Sequence, residues 1–421
     1  MSDILRNIVA RNRAGEKVAI PSVCSAQPDV LRASLKWAQR KDRQIVIEAT
    51  SNQVNQDGGY TGQTPRCFVE QIHNLATENA IDHDRIVLGG DHLGPQAWRK
   101  MAAQDAMEKA RILVRSYVEA GFEKIHLDCS EGCAGENAQL PDTVTATRTA
   151  NLARVCEEAS GGKDILYVIG TEVPPPGGAR VDESGDIPAT TPQSAFATLD
   201  AHEKAFKSEG VSDIKSRVAG LVVQPGVEFT PMHVHHMPME RDPGLRDVMM
   251  NWPGLCLEAH STDYQDPKVF ARLSELGFAF QKVGPALTFA YRQALYALDM
   301  AMGISGENVG LVNTMERLMQ SEPKHWQGHY ASGNRIARHV GLADRIRYYW
   351  PHPQAQNAVL ALRQRLAEVA LPDPLLWQVF SPQVLERAEG LEGTQAQRLI
   401  DAQIEIALDP YDIQGEETKV G

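Results

Sequence analysis

Residues 255–287, LCLEAHSTDYQDPKVFARLSELGFAFQKVGPAL, decide the fold. They read as strand, loop, helix, strand, loop and the start of another helix. Leu255, Leu257 and Ala259 alternate with Cys256, Glu258 and His260, so one strand face presents a carboxylate and an imidazole two residues apart. The second strand, 278–284, sets Phe280, Lys282 and Gly284 on one face. Polar side chains at the C-terminal ends of consecutive buried strands are costly unless paired or used. In a barrel of parallel strands, that end is where active sites are built.

Working outward, the same unit recurs. Strands are predicted at 18–24, 44–50, 86–91, 124–128, 166–170, 218–225, 255–260 and 278–284. Helices are predicted at 30–39, 66–79, 102–120, 144–159, 193–208 and 267–276, with a closing helix from 285 to about 302. Pro28, Pro65, Pro141, Pro192 and Pro267 stand near helix starts, where a fixed φ and a missing donor are tolerated. Gly121 and Gly277 follow helices as terminating glycines. Eight such repeats predict an α/β fold, a (β/α)8 TIM barrel over residues 1–302; an open doubly wound sheet is the alternative, since periodicity does not show closure. Residues 303–421 show helical periodicity and no strand, which predicts a helical C-terminal extension packed on the barrel, with a frayed polar tail from Asp412.

The strand ends collect one set of polar residues: Glu48, Asn52 and Gln53; Asp91 and His92; His126 and Asp128; Glu172; Gln224; Glu258, His260 and Lys282. Asp, His and Glu together suit a divalent cation with mixed N/O ligands, Zn, Mn or Mg. His92, Asp128, Glu172 and His260 form the expected ligand set, with Asp91 and Glu258 orienting them or acting as a base. A lone histidine is more often a hydrogen-bonded core residue; four converging strands favour a site. Glu48 and Glu172 are the expected proton-transfer pair, unless each pairs with Lys282 or an arginine, and Asp91 and Lys282 complete the catalytic candidates. Asn52 and Gln53 read as hydroxyl binders or as an Asx-turn loop, and Gln224 joins them as a substrate candidate. For a phosphate, the expected positions are Ser261, Thr262 and Gly284, after strands seven and eight, with Arg345 reaching over from the extension. Arg347 could reach over with it, surface decoration being the alternative and the favoured one for Arg347.

Composition excludes several classes. The chain has 421 residues, 43% hydrophobic and 23% charged, with net charge −12 and no basic block, against a nucleic-acid or membrane partner. Gly58-Gly59 and Gly89-Gly90 match neither nucleotide-binding glycine pattern. Six scattered cysteines without metal-finger spacing read as reduced thiols. No signal peptide and no membrane span is expected, hence a cytoplasmic protein, expected to form a homo-oligomer.

At IEATSNQVNQDGGYTG (47–62), LGGDHLGP (88–95), KIHLD (124–128), GTEVPPPGG (170–178), VVQPGVEF (222–229), EAHSTDYQ (258–265), KVGPALTFA (282–290) and DRIRYYWP (344–351), the chain resembles the Z-type subunits of class II D-tagatose-1,6-bisphosphate aldolase, the GatZ/KbaZ-like family. The resemblance runs from SVCSA at 22–26 to 344–351. It implies one of two activities. Some members are described as accessory subunits supporting a separate, Y-type aldolase chain; others as epimerases that invert C4 of tagatose or its 6-phosphate. A kinase label attached to the family finds no phosphate-cradling loop here. The favoured expectation is a metal-dependent D-tagatose 6-phosphate 4-epimerase working by retro-aldol and aldol steps at C3–C4 in galactitol and tagatose catabolism.

Overall fold

The computed structural model describes residues 2–171, 187–306, 310–331 and 333–415. Eight parallel strands carry the architecture: β1 (Ile20–Cys24), β2 (Ile45–Thr50), β3 (Ile86–Leu93), β4 (Lys124–Leu127), β5 (Leu166–Gly170), β6 (Val218–Val222), β7 (Cys256–Ala259) and β8 (Phe278–Val283). Each pairs with its neighbours in chain order, and β1 closes on β8 in the register Ile20↔Phe280 and Ser22↔Lys282. That seam makes the sheet a closed (β/α)8 barrel and rules out the open doubly wound sheet.

Local chemistry starts the barrel helices where the sequence placed them. Thr64, Thr191 and Asp266 accept hydrogen bonds from the amides of Cys67, Ser194 and Lys268, and each is followed by a proline in the first helical turn. Gln27 caps the helix Pro28–Arg40 in the same way, accepting from the Asp29 and Val30 amides. Strand ends differ from the expectation by up to three residues. β6 stops at Val222, because the Gln224 side chain accepts from the Gly226 and Val227 amides and folds that segment into a turn. A two-stranded antiparallel ribbon, Glu228–Phe229 with Val234–His235, and a short helix, Leu245–Met250, fill the long connection to β7.

An N-terminal helix, Ser2–Arg13, was not anticipated. Leu5, Ile8 and Val9 pack beneath Ile20, Val46, Val87, Leu166, Cys256 and Phe280 and close the N-terminal mouth. The signal was present: Leu5, Ile8, Val9 and Asn12 follow the i, i+3, i+4, i+7 spacing of one helix face. With that mouth filled by apolar side chains, only the C-terminal mouth is left for chemistry.

The extension is helical as expected. Its helix Gln395–Leu408 packs on the barrel helices Pro285–Ile304 and Pro28–Arg40. Ion pairs between half-buried arginines and buried carboxylates tie the two together: Arg32 lies 2.8 Å from both Asp29 and Asp401, and Arg363 lies 2.8 Å from Asp29. The expected fraying from Asp412 is corrected for residues 412–415. The Ile413 carbonyl accepts from the Ala19 amide at 3.0 Å, Gln414 bridges antiparallel to Val18, and Asp412 pairs with Arg43 at 2.9 Å. The cysteines are free, and all but Cys67 are buried. Among the described residues no helix is long and apolar enough to cross a membrane.

Candidate active site

Alternation along the strands stacks the barrel interior in layers above the apolar floor. The first polar layer is a fully buried triad. Lys124 Nζ lies 2.6 Å from Glu48 Oε1 and 2.8 Å from Glu258 Oε2, over the Phe280 ring. Gly89 faces this layer from β3, where a Cβ would come within 2.7 Å of Glu48 Cγ; the residue is glycine because the carboxylate needs the space. Burial alone would lower the Lys124 ammonium, but Glu258 and Glu48 outweigh it and raise its pKa. Sequence reasoning missed Lys124, although its i, i+2 relation to His126 put it on the inward face.

The next layer holds Asp91, His92, His126, His260 and Lys282. Simple alternation would point Asp91 inward and His92 outward. A bulge changes this: the β3–β4 register passes from Gly90↔Ile125 to Leu93↔Leu127, so three steps on β3 span two on β4. His92 absorbs the extra residue at φ +46°, a conformation that costs a side-chain-bearing residue roughly 1–3 kcal/mol. Ser261, after β7, sits at φ +50°. Asp91 is held from three sides, by Lys282 Nζ at 2.5 Å, His126 Nδ1 at 3.1 Å and the Cys24 thiol at 3.4 Å. His92 Nδ1 donates to Asp128 Oδ2 at 2.8 Å, and Asp128 Oδ1 accepts from Ser130 Oγ at 2.6 Å. His260 Nε2 donates to Glu258 Oε1 at 2.9 Å. The three imidazole centroids lie 4.7, 5.0 and 5.4 Å apart.

Burial would raise both the Asp91 and Asp128 carboxyls, but charge attraction from His92 and Lys282 at Asp91, and the hydrogen bond from His92 at Asp128, outweigh it and hold both below the usual carboxylate range. Burial, reinforced by the Lys282 charge, pushes His260 down to about 3, and burial also lowers His92. Both rings are therefore neutral at physiological pH, the state in which imidazole binds a metal. Burial would lower His126 too, but its bond to Asp91 prevails and raises it.

This donor set fits a divalent cation. One ligand atom each from Asp91, His92, His126 and His260 lies within 4.8 Å of the others. With Nδ1 fixed by Asp128, His92 carries its lone pair on Nε2, which is buried and has no hydrogen-bond partner among the described residues. Such a carboxylate–histidine pair with an open nitrogen is how metal-binding histidines are oriented. His126 fits less well, because Nε2 donates to the Gly170 carbonyl while Nδ1 faces Asp91. Of the expected ligands, His92 and His260 are brought together. Asp128 is turned onto His92 as its orienting group. Glu172 lies outside the described residues.

Above this layer opens a cavity of about 460 Å³. Asn52, Gln53, Ser261, Lys282, Gly284 and Arg345 line it, as do His92 and His260. Glu48, Thr262 and Gln224 do not reach its wall. Glu48 is held by Lys124, rather than by Lys282 or an arginine, one layer below. The Thr262 hydroxyl is fixed between the Lys282 carbonyl (2.6 Å) and the Tyr411 hydroxyl (2.8 Å), and Gln224 shapes its own turn. The expectation that Arg347 decorates the surface is overturned. It is half-buried in the cavity wall, its guanidinium 4.6 Å from the centre of the Tyr348 ring, with Arg345 on the same ring at 4.7 Å. Neither arginine has a carboxylate within ion-pair distance among the described residues. Burial would raise the Tyr348 phenol, but the two guanidiniums outweigh it and lower its pKa.

A closed barrel with a carboxylate–histidine cluster at its C-terminal mouth, beneath a cavity edged by two arginines that no described carboxylate pairs, defines a class: a (β/α)8 barrel whose donor set is compatible with a divalent cation. The chain belongs to the D-tagatose-1,6-bisphosphate aldolase subunit GatZ/KbaZ-like family, whose profile matches residues 5–415. It is 47% identical over 405 residues to the D-tagatose 6-phosphate 4-epimerase of Agrobacterium fabrum, covering 93% of this chain and 94% of that one. It is similar, at 41% identity and a TM-score of 0.85, to a crystal structure from Sinorhizobium meliloti described as a "probable tagatose 6 phosphate kinase", covering 94% of this chain and 99% of the other.

Proposed function

We propose that this chain inverts C4 of a ketohexose 6-phosphate, interconverting D-tagatose 6-phosphate and D-fructose 6-phosphate with the help of a divalent cation. The observation that carries the reading is the buried Nε2 of His92, which has no hydrogen-bond partner among the described residues, lies 3.7 Å from Asp91 Oδ1 and is braced through Nδ1 by Asp128. A chain acting only as a scaffold has no use for such strain and desolvation at one rim. Identity with the Agrobacterium epimerase over nearly the whole chain supports the same reading.

His92 Nε2, His260 and Asp91 would hold the cation. Bound there, it supplies Lewis-acid stabilisation of negative charge at the C2 oxygen of the sugar. The chain's own groups do the rest. Arg345 and Arg347 take the phosphate, fixing which carbon faces the carboxylate layer. Lys282, held by Asp91, brings a second positive charge to the cavity wall beside the reacting carbons. Loss of the C4 hydroxyl proton to a carboxylate lets the C3–C4 bond break, its electron pair passing to C3. The aldehyde turns over its face, the bond re-forms, and the proton returns to the C4 oxygen. Glu172 is proposed as the proton-transfer carboxylate, since Glu48 is committed to Lys124. Asn52 and Gln53 are proposed to bind the sugar hydroxyls.

The test uses the purified protein alone. It should convert tagatose 6-phosphate to fructose 6-phosphate, lose activity with a chelator and recover it with Zn²⁺, Mn²⁺ or Mg²⁺. No turnover with any of them refutes the proposal. The family's description favours a second reading, an accessory subunit of a class II aldolase. That reading expects a stable complex with the aldolase chain, unaffected by His260→Ala.

A further inference from the structure

Barrels of this fold commonly hold phosphate on backbone amides after strands seven and eight, at the start of the last helix. Here that position is already taken from within. Asp263, only 3% exposed, accepts from the Gly284 amide at 3.1 Å and the Ala286 amide at 2.8 Å through one oxygen, and it lines the cavity. The loop that carries it is pinned: Thr262 is bonded to the Lys282 carbonyl and to Tyr411, whose ring packs 4.3 Å from that of Phe270. Asp263 therefore does not swing away without breaking the seal between β7, β8 and the chain's last described segment. Among the described residues, no carboxylate lies within ion-pair distance of the two arginines that share Tyr348. One cavity thus combines a cationic wall with a second anion position filled by a fixed carboxylate.

We propose that Asp263 is a specificity residue that closes the phosphate position at the last strand–helix junction, so that the cavity accepts ketohexose monophosphates and rejects 1,6-bisphosphates. A phosphate at C1 would need the same two amides and would meet a buried carboxylate at contact distance. Like charges so placed cost several kcal/mol unless one is neutralised. A hydroxymethyl group at C1 has a proton to donate and fits against the same oxygen. The inference rests on the reading of the cavity as a ketohexose-phosphate site.

The experiment is calorimetric binding of D-tagatose 6-phosphate and D-tagatose 1,6-bisphosphate to the full chain and to Asp263→Asn. The asparagine carbonyl keeps an acceptor for both amides and removes the charge. The wild-type protein should bind the bisphosphate on the order of a hundredfold more weakly than the monophosphate. In Asp263→Asn the ratio should fall by at least about tenfold. Equal affinities in the wild type overturn the proposal, and so does an unchanged ratio in a variant whose melting curve shows a folded protein. If the variant fails to fold, the wild-type ratio alone decides. C4 turnover is assayed separately: selective binding without inversion supports Asp263 as the selector and removes the epimerase reading instead.

Discussion

Lys124 is the strongest test of the layered interior. Replacing it with methionine keeps an unbranched side chain of similar length and deletes the charge that two fully buried carboxylates share at 2.6 and 2.8 Å. Removing one partner of a buried ion pair costs about 3–5 kcal/mol, because the remaining charge is left uncompensated. Here two carboxylates are left, so the upper end, about 5 kcal/mol, is expected. That is a third or more of the roughly 5–15 kcal/mol that holds a typical domain folded. Urea unfolding of Lys124→Met at neutral pH measures it. The double variant Lys124→Met/Glu48→Gln should recover about half the loss, since only Glu258 stays ionised and His260 still donates to it. A loss below about 1 kcal/mol, or a double variant no better than the single one, would mean that the triad is not the electrostatic unit described.

Two further outcomes follow from the same geometry. Arg347→Met should raise KM for tagatose 6-phosphate by about 10–100-fold, the worth of a charge-assisted hydrogen bond, while leaving KM for unphosphorylated tagatose nearly unchanged; equal effects on both sugars would show that the arginine only supports the fold. At Asp29, burial would raise the carboxyl, but Arg363 and Arg32 outweigh it and lower its pKa. A folded-state pKa below the unfolded value near 3.9 means that this contribution is complete above that pH and is lost as pH falls through the folded value. Acid unfolding followed by circular dichroism should therefore begin at higher pH in Arg363→Met than in the wild type. A coincident midpoint would remove Asp29 from the contacts that hold the extension to the barrel.

The eight strand–helix repeats were legible because local chemistry marks many of their boundaries: a cap and a proline before helices such as Pro65–Glu78, Pro192–Ser208 and Pro267–Glu275, and a glycine after Ala103–Ala120. The rim was legible for the same reason, as residues such as Asp91, His260 and Lys282 stand at strand ends whatever the remote packing. What escaped depends on contacts between segments distant in sequence. Strand alternation alone would have turned His92 outward; only the bulge against β4 brings it beside Asp91. Asp128 has the residue type of a ligand, and nothing in KIHLD shows that it faces His92. Arg347 looked like surface because its partners, Tyr348 and the cavity wall, are assembled by the extension folding over the mouth. The last described segment looked frayed because its hydrogen bonds go to Ala19 and Arg43, some 370–395 positions away.

The layers also explain why the chemistry is confined to one short depth of the barrel. Apolar residues from the N-terminal helix and strand starts form the floor, which excludes water below Lys124. Above the floor, Lys124 fixes Glu258, and Glu258 fixes the tautomer and tilt of His260. On the other side Asp128 fixes His92, while Lys282 and His126 fix Asp91. His260 and His92, which line the cavity, are thus oriented by Glu258 and Asp128, which do not. Lys124→Met should accordingly weaken binding of the proposed cation as well as stability, although the lysine is not among the residues proposed to hold it. Zn²⁺ titration of the folded variant tests this, and an affinity equal to the wild type's would show that His260 is positioned without the layer beneath it.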